Sequence, residues 1–174
     1  VPGAACDRTP DTYDSQVLAL TWQPGFCANA PRADREPECR ALARGKLKVE
    51  HLTLHGLWPN KRACGIDYNG CAARPLELSP SVRERLVDWM PSLRYDEDLL
   101  RHEWNKHGVC QARGADDYFT QAIDLARQVQ ASPIGGFMLR AVGRTVSRDE
   151  LRAYLAREWS PAAAARVELV CAGR

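Results

Sequence analysis

A chain of 174 residues, 45% apolar and 26% charged, is long enough to bury a core and reads as a single soluble domain. Its formal net charge of +2 excludes a protein that holds nucleic acid through a blanket of cations, so an anionic substrate must be captured locally. No run of about 18 apolar residues offers a membrane span, and "VPGAACDRTP" lacks a charged start followed by an apolar stretch, so any signal peptide is expected to have been removed.

"QVLALTWQP", residues 16–24, alternates, carries β-branched and aromatic residues and stops at Pro24, which predicts a strand. Residues 25–45, rich in Pro, Arg and Glu, predict an irregular connection pinned by cysteines. "KLKVEHLTLHGLWP", residues 46–59, predicts a second strand with His51, Thr53 and His55 on one face and Leu52 and Leu54 on the other. Gly65, Asn69, Gly70 and Pro75 mark residues 60–78 as loop. Ser79 then caps a helix with Pro80 at its first position and an apolar stripe of Val82, Leu86, Trp89 and Met90. Asp96 caps the next helix, which should end near Gly108. "DDYFTQAIDLARQVQ" and "SRDELRAYLAREW" follow as amphipathic helices, the second opened by the capping box of Ser147 and Glu150, and "ARVELVC" closes as a strand. Strands early and helices mostly later predict an α+β domain over residues 1–174, its helices packed on an antiparallel or mixed central sheet.

The seven cysteines contain no C-x-x-C pair and no zinc-ribbon spacing. Disulfides are the favoured reading, and with them the periplasm or the cell exterior. The odd count leaves one thiol over.

All four histidines, His51, His55, His102 and His107, fall in two short stretches, "HLTLHGLWPN" and "HEWNKHGVC". The second begins like a zinc-protease helix, but H-E-x-x-H needs histidines four apart to converge on one ion. Here they are five apart, and at about 100° per residue His107 lies roughly 140° around the axis from His102. Glu103 and His107 do share a face, with Lys106 beside them. An acid, a cation and an imidazole on one edge suit proton transfer around an anion. Cleaving a phosphodiester through its neighbouring 2′-hydroxyl needs a base, an acid and donors to the phosphoryl oxygens, and the two stretches supply each without a metal. A zinc hydrolase is the disfavoured alternative.

"LTLHGLWPN" and "HEWNKHGVC", in that order and about fifty residues apart, resemble the two active-site segments of the ribonuclease T2 family, secreted acid ribonucleases of fungi, plants and bacteria. "LALTWQPGFC", "NGCAARP" and the later "GRTVSRDEL" resemble bacterial members. The resemblance implies a metal-independent endoribonuclease that cleaves single-stranded RNA to a 2′,3′-cyclic phosphate and then hydrolyses it, with broad base specificity and no cofactor. It implies His107 as general base, His55 as general acid, and Glu103 and Lys106 as stabilisers of the crowded phosphorus centre. His102 is implied to hold the phosphate, and Trp58 and Asn60 to form the base pocket, Trp58 by stacking. Trp104 is expected in the core and His51 beside the site or at the surface. The expected partner is single-stranded RNA, with no membrane, and the protein is expected to be a monomer. An RNA-binding or toxin-like module that has lost catalysis is the second reading, opposed by the intact His55, Glu103, Lys106 and His107. The resemblance also implies the disulfides Cys71–Cys110, Cys27–Cys39 and Cys6–Cys64. That scheme leaves Cys171 alone, so the natural chain is expected to continue past Arg174 or to be a shortened form with a free thiol.

Overall fold

Two antiparallel strands form the sheet in the computed structural model, which describes residues 6–65, 67–111 and 113–168. Strand β1 (Ser15–Thr21) pairs with β2 (Thr53–Asn60), from Ser15 opposite Asn60 to Thr21 opposite Thr53. The register slips once. Ala19 faces Gly56 and Leu20 faces Leu54, which leaves His55 as the extra residue of a β-bulge.

Both strands are shorter than the alternating pattern predicts. β1 stops at Thr21 because Gln23–Asn29 forms helix α1, with Pro24 in its first turn, where its missing N–H does no harm. The predicted irregular connection is therefore partly helical: Pro37–Ala43 forms α2 with Pro37 at its start, and Cys27–Cys39 joins the two helices. Past α2, Gly45 takes the left-handed conformation (φ 67°), and the N–H groups of Lys46 and Leu47 donate to the Ala41 carbonyl. Residues 46–47 thus finish a helix, and β1 has no residue left to pair with 48–52.

Helix α3 (Pro80–Trp89) starts as predicted, the Ser79 hydroxyl accepting from the Val82 N–H at 3.4 Å. Helix α4 (Asp98–Lys106) begins two residues after Asp96, whose carboxylate accepts from the Asp98 N–H at 3.1 Å instead of occupying the cap position itself. Helix α5 runs from Ala115 to Ala131. In the unit formed by residues 1–126, the core joins Leu54 and Leu57 of β2 to Leu86 and Met90, Leu100 and Trp104, and Tyr118 and Phe119. Trp104 is buried, its indole N–H donating to the Arg74 carbonyl at 3.1 Å. Disulfides Cys6–Cys64 and Cys71–Cys110 complete the pairs that the resemblance implies.

Residues 127–174 form a second unit. It holds α6 (Pro133–Arg140), which the sequence reading passed over, α7 (Arg148–Glu158) and α8 (Pro161–Ala164). The Ser147 hydroxyl accepts from the Glu150 N–H at 3.0 Å, so the predicted cap forms. Of the predicted closing strand, Ala165 to Glu168 carry no strand conformation, and its remainder, with Cys171, lies outside the described residues. Among the described residues the fold is α+β with a two-stranded antiparallel sheet. No described helix is long and apolar enough to cross a membrane.

Candidate active site

His55 owes its position to the bulge. In a regular strand His55 and Trp58, three residues apart, point to opposite faces. The extra residue restores them to one face, with ring centroids 5.9 Å apart and planes at 88°, while Leu54 and Leu57 both turn into the core at 2% and 0% exposure. The hydroxyl of buried Tyr118 donates to the Leu57 carbonyl at 2.8 Å and accepts from its N–H at 3.2 Å, pinning the backbone between the two site residues. Asn60 ends β2, its carbonyl accepting from the Asp14 N–H at 2.9 Å.

Glu103 and His107 come from the last turn of α4. His107 is the C-cap, and its N–H donates to the Glu103 carbonyl at 2.9 Å. Gly108 comes next because the Trp104 ring fills the space a Cβ would need, and Cys71–Cys110 fastens the next turn. Lys106 and His102 lie on the exposed side of the same helix.

The Glu103 carboxyl is buried at 1% exposure. Its Oε2 accepts from the Trp58 indole N–H at 2.8 Å, and its Oε1 lies 3.4 Å from Nε2 of His55. The backbone of β2 approaches so closely that a side chain at Gly56 would collide with Oε2. The other partner of Trp58 is His107, whose ring stacks on it with centroids 5.2 Å apart and planes at 26°. Trp58 therefore touches all three titratable groups. His51 turns elsewhere, packing on Trp89 at 4.7 Å with Nδ1 2.9 Å from the Leu52 carbonyl oxygen.

Burial dominates the electrostatics. It pushes Glu103 up from 4.5 to about 7, against the Trp58 hydrogen bond and the Lys106 charge. It pushes His107 down from 6.5 to about 4, helped by the charges of Lys106, His102 and His55. His55 is lowered too, by burial first and then by His102 and Lys106. Between about 4 and about 7 the site thus holds a neutral Glu103 carboxyl and a neutral His107 imidazole, with Lys106 and His102 exposed on the same helix.

Sequence reasoning missed Gly56 and Tyr118. A glycine inside a strand pattern is a legible sign of a bulge or of close backbone approach. Tyr118 carries no such signal, because nothing in α5 separates it from an ordinary core aromatic.

The profile of the Ribonuclease T2 family matches residues 13–138, a span that includes both strands and α3 to α5. The chain belongs to the ribonuclease T2 family. As a member it is an endoribonuclease. It is 32% identical to Ribonuclease I of Escherichia coli, over 92% of this chain and 70% of that one. A ribonuclease of Aeromonas hydrophila is 35% identical over 70% of this chain and 48% of its own. Ribonuclease T2 of Homo sapiens is 24% identical over 76% and 50%. The chain thus spans about half the length of these last two relatives. Among solved structures, a mutant of RNase MC1 in complex with 5′-GMP shares the fold, with a TM-score of 0.58 and 24% identity over 84% of this chain and 75% of that one.

Proposed function

We propose that this ribonuclease T2 family member cleaves single-stranded RNA by metal-independent transphosphorylation followed by hydrolysis. The observation that carries the reading is the meeting of His55, Glu103 and His107 around Trp58. Neutral His107 takes the proton of the 2′-hydroxyl, and the 2′-oxygen attacks phosphorus. Protonated His55 gives its proton to the 5′-oxygen as the P–O bond breaks, leaving a 2′,3′-cyclic phosphate and a free 5′-hydroxyl. Water then opens the ring with the roles reversed, giving a 3′-phosphate.

Glu103 fits the crowded phosphorane only while it keeps its proton. A carboxylic acid can donate to a non-bridging oxygen, whereas a carboxylate would repel it, and burial keeps the group neutral up to about 7. Lys106 adds a full positive charge to the same oxygens, and exposed His102 holds the phosphate. The half-buried Trp58 offers a nucleobase its ring, its N–H being committed to Glu103, and Asn60 lies on the same side of β2 by alternation, compatible with broad base specificity. Three disulfides fit an oxidising compartment, the periplasm or the cell exterior.

The test is a pair of oligonucleotides of one sequence, RNA and DNA, incubated with the protein in excess chelator. RNA-only cleavage through a cyclic phosphate is the expected result, and one 2′-deoxy residue 5′ to a linkage should protect that linkage. Cleavage of the protected linkage would overturn the scheme.

A further inference from the structure

Residues 127–174 carry eight arginines and no lysine against four carboxylates, a net +4 in a chain whose total is +2, so residues 1–126 hold a net −2. The unit that contains the catalytic groups therefore gives a polyanion little long-range attraction. The cations are gathered instead in a unit that the family profile barely enters, since its match ends at residue 138.

Within that unit the end of α6 and the length of α7 line a cavity of about 480 Å³, with Arg140, Arg144, Arg157 and Tyr154 on its walls beside Glu150 and Glu158. The guanidinium carbons of Arg140 and Arg157 lie 4.9 and 5.1 Å from the centroid of the Tyr154 ring. Phe137 braces that ring from 5.1 Å. Gly136 lies against the pair: a Cβ there would stand in ordinary contact, 3.4 Å from the Arg140 guanidinium and 3.8 Å from the Tyr154 hydroxyl. A stacked guanidinium is held in orientation by its face and keeps its N–H edge for an oxyanion. Arg140 has no carboxylate within ion-pair distance among the described residues, whereas Arg144 pairs with Glu150 at 2.6 Å and Arg157 with Glu158 at 3.0 Å. Exposed pairs of this kind contribute only about 0–1 kcal/mol, so a phosphate can displace either carboxylate at small cost.

We infer that this arginine–tyrosine cluster is a second contact surface for single-stranded RNA, gripping phosphates other than the scissile one. The inference rests on the ribonuclease reading above for its choice of RNA as the polyanion. It explains how a chain of nearly balanced charge captures its substrate: the attraction is concentrated at one place. Every phosphate the cluster neutralises releases condensed counterions, so its contribution must appear in the salt dependence of binding.

The experiment uses the full chain and a short 2′-O-methyl oligonucleotide, which lacks the attacking hydroxyl, titrated at several salt concentrations. The double variant Arg140→Gln with Arg157→Gln should raise Kd about tenfold and reduce the log–log salt slope by about 0.7 for each phosphate no longer neutralised. Its kcat/KM on a dinucleoside monophosphate, whose one phosphate is the scissile one, should match that of the wild type, while KM on long RNA rises. Arg140→Lys, which keeps the charge and removes the stack, should fall between the two. Unchanged oligonucleotide affinity and slope in the double variant would overturn the inference and leave the catalytic reading intact. Equal loss on the dinucleoside monophosphate and long RNA would also overturn it, because the cluster would then be supporting the catalytic groups. Wild-type protein that binds the oligonucleotide through these arginines yet cleaves no RNA would instead overturn the proposed mechanism.

Discussion

The two histidines that meet at Trp58 reach it by opposite routes. His55 is the surplus residue of a strand, aimed by a bulge, and His107 is the C-cap of a helix, aimed by its last turn. Both are half-buried and both lose proton affinity. Burial is the first cause in both, and what differs is the group each ring meets. His55 has the Glu103 carboxyl 3.4 Å away. His107 has the face of an indole, and burial, helped by the charges of Lys106, His102 and His55, keeps it neutral down to about 4. In the proposed mechanism the first imidazole gives a proton and the second takes one.

The largest expected effect removes either side of that contrast. His55→Ala and His107→Ala should each lower RNA cleavage about 10³-fold, with the double variant little worse than either because the two act as a unit. Single-turnover rates check this, and a variant that keeps more than a few per cent of the activity would break the acid–base pairing. Next in size is Lys106→Ala, which should lower kcat about 10²-fold, near 3 kcal/mol, as loss of one oxyanion donor does. KM should move much less.

The pH profile separates the two histidines directly. The logarithm of kcat/KM should rise through about 4 as His107 sheds its proton, and fall at a pH below 6.5 as His55 sheds its own, so the optimum is acidic. Trp58→Phe sharpens the comparison further. It keeps an aromatic face on His107 but removes the N–H that holds Glu103 down, so Glu103 should titrate higher while the acid limb stays in place. The accompanying change in rate should be within about tenfold, the size of one missing hydrogen bond between neutral groups.

The smallest effect is on stability. A group raised in the folded state, such as Glu103, makes stability fall as pH rises from 4.5 to about 7. A group lowered in the folded state, such as His107, makes stability rise from about 4 to 6.5. The slopes oppose across most of one window, so the wild-type melting temperature should be nearly flat between pH 4.5 and 6.5. Glu103→Gln should leave a melting temperature that rises with pH there, and His107→Ala one that falls. A thermal-melt series on the three proteins tests the signs.

Sequence patterns read the helix caps and the fold class better than the strand bounds. Cap signals are short-range, and Ser79 and Ser147 do cap their helices because a side chain three residues from the N–H it serves needs no tertiary partner. Alternation misled in residues 46–52, since a strand exists only where another strand pairs with it, and α1 had already ended β1. Pro24, read as the stop of a strand, also opens a helix, and Pro37, in a stretch read as irregular, opens another, an outcome set by the residues C-terminal to each.

The sequence alone determined which titratable and aromatic residues stand at which spacing. Histidine, glutamate and lysine at helical spacing on one segment, and a histidine and tryptophan three apart on another, are facts of covalent order. Only the tertiary structure decided that they form one site. A regular strand would have put His55 and Trp58 on opposite faces; the bulge, fixed by pairing with β1 and by the Tyr118 hydroxyl, turned both the same way. Burial, which no local pattern sets, is the main cause that raised Glu103 to about 7 and lowered His107 to about 4, because the cost of a charge depends on everything packed around it.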